Sequence, residues 1–342
     1  MLGLVQTLSE RLSFFINQIY SPKPSPKPNS IVINSPETLD SIINNLGGYR
    51  TEQELGNTSQ SIVFQAINDT TKDLVVVKQY KYAYTPKPEY VLLNPLREHA
   101  ILNVINPHHS IPRSKHYFKR KTREEIVIIE YIPGTNLNHY DLRFEGKEKE
   151  RFIKNTLTSL LFTLKHIHSP KYSGLAQPLR HLDIKPENIV LGPDLRPFLI
   201  DFGHCRFISE EPNQNTDDWV IGSIPYIDPL MQNGGISSDY YSLGMSFLDT
   251  FYPKIASRFQ FSEEVIQSRT ETERRIKHVK NLSITKKDKI PNPLRKVFNR
   301  MISLDISQRY SSSDQILNDI LMPIKIPQVN SEQYLLSLTQ QL

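Results

Sequence analysis

The run His181-Leu182-Asp183-Ile184-Lys185-Pro186-Glu187-Asn188, followed by Asp201-Phe202-Gly203, constrains this chain more than any other feature. It places two carboxylates, an amide and an ammonium at short fixed spacings. That set matches the needs of group transfer from a polyphosphate to a hydroxyl. A carboxylate must orient the attacking hydroxyl and accept its proton, a cation must sit beside the transferred group, and hard oxygen ligands must hold a divalent ion. Asp183 is the candidate for the first role, Lys185 for the second, and Asn188 and Asp201 for the third.

In order and spacing these segments resemble the catalytic-loop and DFG signatures of the eukaryotic-type protein kinase superfamily. The resemblance implies an α+β fold of two lobes, a small β-rich N-lobe and a larger α-helical C-lobe. It also implies ATP as phosphate donor, Mg²⁺ (or Mn²⁺) as metal, and Ser or Thr hydroxyls of a protein substrate as acceptors. Lys185 follows the Ser/Thr pattern rather than the tyrosine-kinase one. Upstream, Lys78 follows the β-branched run Val75–Val77, and Glu98 lies on a helical segment read over Leu96–Ile105. The resemblance pairs the two, and the pair would aim Lys78 at the nucleotide phosphates.

The phosphate-covering loop departs from the family. Gly56-Asn57-Thr58-Ser59-Gln60-Ser61-Ile62-Val63 keeps the first glycine of G-x-G-x-x-G-x-V and has Thr58 and Ser61 at the other two. Side chains there raise the cost of positive φ and of close approach to phosphate, so nucleotide binding is expected to be weakened rather than lost. By resemblance, Leu55, Gly56, Thr58, Ser61, Val63, Val76 and Lys78 contact ATP. Ile129 falls at the gatekeeper position, and Glu130 and Ile132 at the hinge. Val76 replaces a common alanine and narrows the adenine site.

Further positions follow from the resemblance. Asp201–Pro229 forms the activation segment, in which Ser223 is the substrate-positioning hydroxyl that bonds the catalytic Asp and Lys. Leu182 replaces the arginine that pairs with an activation-loop phosphate in many relatives, so activity is expected not to require that phosphate. Leu230 replaces the terminal glutamate of the segment. Its usual partner, Arg309, then needs Asp228 or another acid, or must be more exposed. Asp239 resembles the residue that holds the catalytic loop through backbone amides, although a helix N-cap role fits it equally.

The chain has 342 residues, 38% hydrophobic and 23% charged, enough for two lobes with short extensions. The expected division is an amphipathic helix at 2–20, a Pro-rich linker at 21–30, a lead-in at 31–48 with a short helix at 36–46, an N-lobe at 49–133, a C-lobe at 134–322 and a tail at 323–342. The stripe Leu4, Leu8, Leu12, Phe15, Ile19 is expected to pack on the core, bind a partner or lie on a membrane surface. The connection at 169–180 is longer than usual and reads as a surface excursion. No stretch approaches the roughly 20 apolar residues of a membrane span and no secretory leader is recognisable, so an intracellular location, cytoplasmic or nuclear, is expected. The single cysteine, Cys205, excludes an internal disulfide. A net charge of +5 favours acidic surfaces only weakly, and no nucleic-acid partner is implied. The lysine-rich stretch 271–296 reads as a solvated face or a dock for an acidic partner.

Two alternatives stand beside the enzyme. One is a pseudokinase scaffold that binds nucleotide or partners with little transfer, supported by the altered glycine loop and Leu230. The other is transfer to a small molecule, opposed by an activation-segment ending of the kind that carries a peptide.

Overall fold

A computed structural model describes residues 48–58, 61–81, 95–119, 125–140, 144–210, 222–230, 235–262, 269–279 and 282–321. The helices expected at 2–20 and 36–46, the linker at 21–30 and the tail at 323–342 lie outside the described residues. The chain divides into two compact units, one of residues 1–131 with 169–178, the other of residues 132–168 with 179–342.

The first unit is built on an antiparallel sheet of β1 (Tyr49–Asn57), β2 (Ser61–Asn68), β3 (Leu74–Tyr80), β4 (Ser114–Lys119) and β5 (Glu125–Glu130), in the order β1-β2-β3-β5-β4. The Val- and Ile-rich strands β3 and β5 sit inside the sheet, where both faces are covered and β-branched side chains pack well. One face carries a cluster of Tyr49, Ala66, Val75, Val77, Ile126 and Ile128. The period of two turns Val76, Lys78 and Tyr80 to the opposite face. Helix α1 (Pro95–Val104) opens with proline at its first position, where the missing N–H costs nothing, and buries Ile101 and Leu102. Residues 169–178 are only partly a surface excursion. Pro170–Ser173 forms one helical turn ended by Gly174 at φ +72°. Tyr172 is 50% exposed, whereas Ser173 and Leu175 are buried to 3% and 4%.

The second unit is mainly helical. The small antiparallel sheet of β6 (Thr135–Asn136), β8 (Ile189–Leu191) and β9 (Pro197–Leu199) holds the chain between Asn188 and Asp201, and β7 (Leu179–Arg180) pairs with β10 (Arg206–Phe207). Helix α2 (Gly146–Ile167) buries Phe152, Ile153, Leu157, Leu160, Leu161 and Leu164 at helical spacing, and α3 (Ser237–Phe251) is buried along most of its length. Helices α4 (Arg269–Val279), α5 (Asn292–Met301) and α6 (Ser313–Leu321) complete it. Gly244 of α3 packs closely on the chain at Met301, where an added Cβ would meet the Met301 Cβ at 3.0 Å. Among the described residues no helix is long and apolar enough to cross a membrane.

Candidate active site

In the first unit, strand register brings predicted residues onto one surface. Val63 lies directly across from Lys78, and Val76 across from Ile129. Directly paired residues share a face, so Val63, Val76, Lys78 and Ile129 line the same side of the sheet. Lys78 Nζ lies 3.4 Å from both carboxylate oxygens of Glu98, and the two side chains are 9% and 0% exposed. Glu98 sits in the first turn of α1, where the helix dipole favours a negative charge. The Tyr80 hydroxyl also donates to Glu98 Oε2, and its ring lies 5.1 Å from Lys78 Nζ. Tyr80 was not singled out from sequence, although its place two residues beyond Lys78 puts it on the same face.

The remaining predicted contacts of this unit are more scattered. Leu55 is the extra residue of a bulge between the pairs Glu54–Phe64 and Gly56–Val63, and it is 43% exposed. Thr58 is exposed, Gly56 half-buried and Ser61 buried. Glu130 donates its N–H to the carbonyl of Arg113 at 2.8 Å, so that amide is already engaged within the protein. Ile132 is half-buried and is the first residue of the second unit.

In the second unit the catalytic-loop run is fixed from below by Asp239, which is fully buried. Its carboxylate accepts from the main-chain N–H groups of His181 at 2.8 Å and Leu182 at 2.9 Å, and from His168 Nε2 at 2.7 Å. Helix α3 begins at Ser237 with Ile236 at the cap position, so Asp239 lies within the first turn and the N-cap reading falls away. Burial opposes ionisation of Asp239, yet the His168 hydrogen bond and charge, with the Leu182 amide, hold its pKa below the usual value. Leu182 adopts φ +65°, a strained conformation for a side chain branched beyond Cβ, and the Asp239 bonds oppose its relaxation.

Asp183 is held through one oxygen. Its Oδ2 accepts from Asn188 Nδ2 at 3.0 Å and lies 3.1 Å from Lys185 Nζ. Its Oδ1 is buried without a hydrogen-bond partner among the described residues. Burial raises the Asp183 pKa, but the charges of His204 and Lys185 and the Ser223 hydroxyl outweigh it, against the repulsion of Asp201, and hold the carboxyl below the ordinary range. Lys185 Nζ also donates to Ser223 Oγ at 2.5 Å. Gly222, at φ +116°, presses against the catalytic loop, and a Cβ there would lie 2.5 Å from the Leu182 carbonyl oxygen.

Asn188 Nδ2 also donates to the Asp183 carbonyl at 2.8 Å, which leaves the side-chain Oδ1 as an acceptor. The main chain ties this loop to the Asp201 segment at two points. Ile200 N–H donates to Asn188 O at 3.0 Å, and His181 Nε2 lies 3.2 Å from Ile200 O. Burial pushes the His181 pKa down against the pull of Asp239, Asp183 and Asp201, and the neutral ring donates from Nε2 while Nδ1 accepts from Asp183 N–H. Asp201 is half-buried at φ +63°, its Oδ1 accepting from Gly203 N–H. Asn188 and Asp201 therefore offer hard oxygen donors of the kind Mg²⁺ takes alongside phosphate oxygens.

Arg309 is buried rather than exposed, and its partner is Asp228. The fork is bidentate at 2.6 and 2.8 Å, with Ser238 Oγ and Leu230 N–H completing the carboxylate. Sequence reasoning missed His168, which no local pattern marks, and His204, whose signal was its position directly after Gly203.

The protein kinase domain family matches residues 49–322, and the chain belongs to that family. Among its relatives, serine/threonine-protein kinase D of Synechocystis sp. is 30% identical over 283 residues, covering 79% of this chain and 51% of its own length. Serine/threonine-protein kinase B of the same organism is 26% identical, covering 66% of this chain and 37% of its own. Serine/threonine-protein kinase PknA of Nostoc sp. is 34% identical over half of this chain and 30% of its own. The chain thus spans about half the length of the first of these relatives or less. Members of the family use ATP and a divalent metal in general.

Proposed function

We propose that the chain is a Ser/Thr protein kinase that transfers the γ-phosphate of ATP to protein hydroxyls. The observation that carries this reading is the split state of Asp183, with Oδ2 anchored by Asn188 and Lys185 and Oδ1 buried without a partner. A buried acceptor left unmade is costly, and a substrate hydroxyl would satisfy it while presenting its proton to an ionised carboxylate. Lys185, shared between Asp183 and Ser223, would neutralise charge on the transferred group. Lys78, oriented by Glu98 and Tyr80, would hold the nucleotide phosphates. Asn188 and Asp201 would hold Mg²⁺, which when bound supplies charge neutralisation at the phosphate oxygens. Val63, Val76 and Ile129 would pack against the base.

Leu182 leaves an activation-loop phosphate without the arginine that usually receives it, so activity is independent of that phosphate. The names of the relatives support protein serine or threonine as acceptor. A scaffold with little transfer has one observation in its favour, the turn between β1 and β2, whose Thr58 and Ser61 amides bond within the turn. Labelled-phosphate transfer from ATP decides between the two, because only the enzyme reading requires transfer that disappears in Asp183→Asn. The substitution should lower the rate about 10²- to 10⁴-fold with nucleotide binding retained.

A further inference from the structure

Lys81, one residue beyond β3, places its ammonium on the turn between β1 and β2. Nζ donates to Asn57 Oδ1 and to the Thr58 carbonyl, each at 2.6 Å. The turn itself is closed from inside. Thr58 N–H donates to Ser61 O at 2.9 Å, and Ser61 N–H donates to Thr58 Oγ1 at 3.1 Å. Thr58 and Ser61 are the residues at the two altered glycine positions. The amides of Thr58 and Ser61 are therefore engaged within the turn, and the Thr58 side chain is what engages one of them.

Against this loss stands a full positive charge. An ammonium has three donors, and the two partners of Lys81 are neutral oxygens, with no carboxylate pairing it among the described residues. Phosphate oxygens are stronger acceptors than an amide or a peptide carbonyl, because a hydrogen bond between ions is shorter and roughly twice as strong.

Building on the reading of the chain as an ATP-dependent kinase, we propose that Lys81 is the loop's phosphate-binding group. It takes over from the amides of Thr58 and Ser61 by contacting the nucleotide's phosphates. The departure from the glycine pattern then replaces a main-chain cradle with a side-chain charge. It also makes ATP affinity more sensitive to salt than an amide cradle would.

Calorimetric titration of the full chain with Mg²⁺-ATP and, separately, with adenosine tests this, using the wild type, Lys81→Met and Lys81→Arg. Lys81→Met should weaken ATP about tenfold, the scale of one charged hydrogen bond, and leave adenosine unchanged. Lys81→Arg should keep most of the ATP affinity. Equal losses for ATP and adenosine would reduce Lys81 to a support of the turn and overturn the proposal, as would an unchanged ATP affinity in Lys81→Met. A wild type that binds neither compound would overturn the nucleotide reading itself and this proposal with it.

Discussion

Asp183 and His181, two residues apart, are tuned in the same direction for different ends. Asp183 stays ionised despite burial because positive groups surround it. Removing one of them in Lys185→Met should raise the Asp183 pKa, so the acid limb of the kcat/KM profile moves to higher pH as well as the rate falling. An unmoved acid limb would show that Lys185 does not tune the carboxylate. The His181 pKa lies below its ordinary 6.5 because of burial. Between that lowered value and about 6.5 the unfolded chain binds a proton that the folded chain refuses, so stability falls as pH drops through this window and is whole above it. Thermal unfolding from pH 7.5 to 5.5 should show a declining Tm, and a shallower decline in His181→Gln. His99, whose pKa is also lowered by burial, contributes equally to both proteins, so the difference isolates His181. Identical slopes would contradict the assignment. At this scale the sequence named most of the charged groups, because their types and spacings are themselves the signal. It could not name Tyr80 or His168, whose importance comes from packing.

Among the elements, the Asp228–Arg309 pair links the end of the activation segment to the chain just before α6. Both side chains are 1% exposed, and each nitrogen of the Arg309 guanidinium donates to an oxygen of Asp228 or Ser303. Removing one partner leaves a buried charge uncompensated, so Arg309→Met should cost about 3–5 kcal/mol in urea unfolding. A loss below about 1 kcal/mol would mean that the site relaxes to admit water. The sequence left the partner of Arg309 open, since Asp228 lies two residues from the position that usually supplies the acid and only loop geometry decides between them. The inner strands were legible from their Val and Ile runs. The edge strand β4, Ser-Lys-His-Tyr-Phe-Lys, was not, because an edge needs no continuous apolar run and this one carries two lysines.

For the whole molecule, the family assignment rests on a match over residues 49–322, and the residues singled out from sequence fall in both compact units. The Lys78–Glu98 pair belongs to one, and Asp183, Lys185, Asn188 and Asp201 belong to the other. Control should be simple. Chain freed of phosphate by a phosphatase, and the Ser209→Ala and Thr216→Ala variants, should retain most of the wild-type rate. Loss of activity in any of them would show that another group receives a loop phosphate in place of the arginine absent at Leu182. Thr216 and the helix expected at 2–20 lie outside the described residues, so for them the sequence alone sets the expectation.

The most direct measurement is ³²P transfer from γ-labelled ATP with Mg²⁺, to the chain itself and to a generic basic protein, comparing the wild type with Asp183→Asn and followed by phospho-amino-acid analysis. The account predicts phosphoserine or phosphothreonine that disappears in the mutant. Transfer that is absent or insensitive to the mutation, with ATP binding intact, would contradict it and leave a nucleotide-binding scaffold.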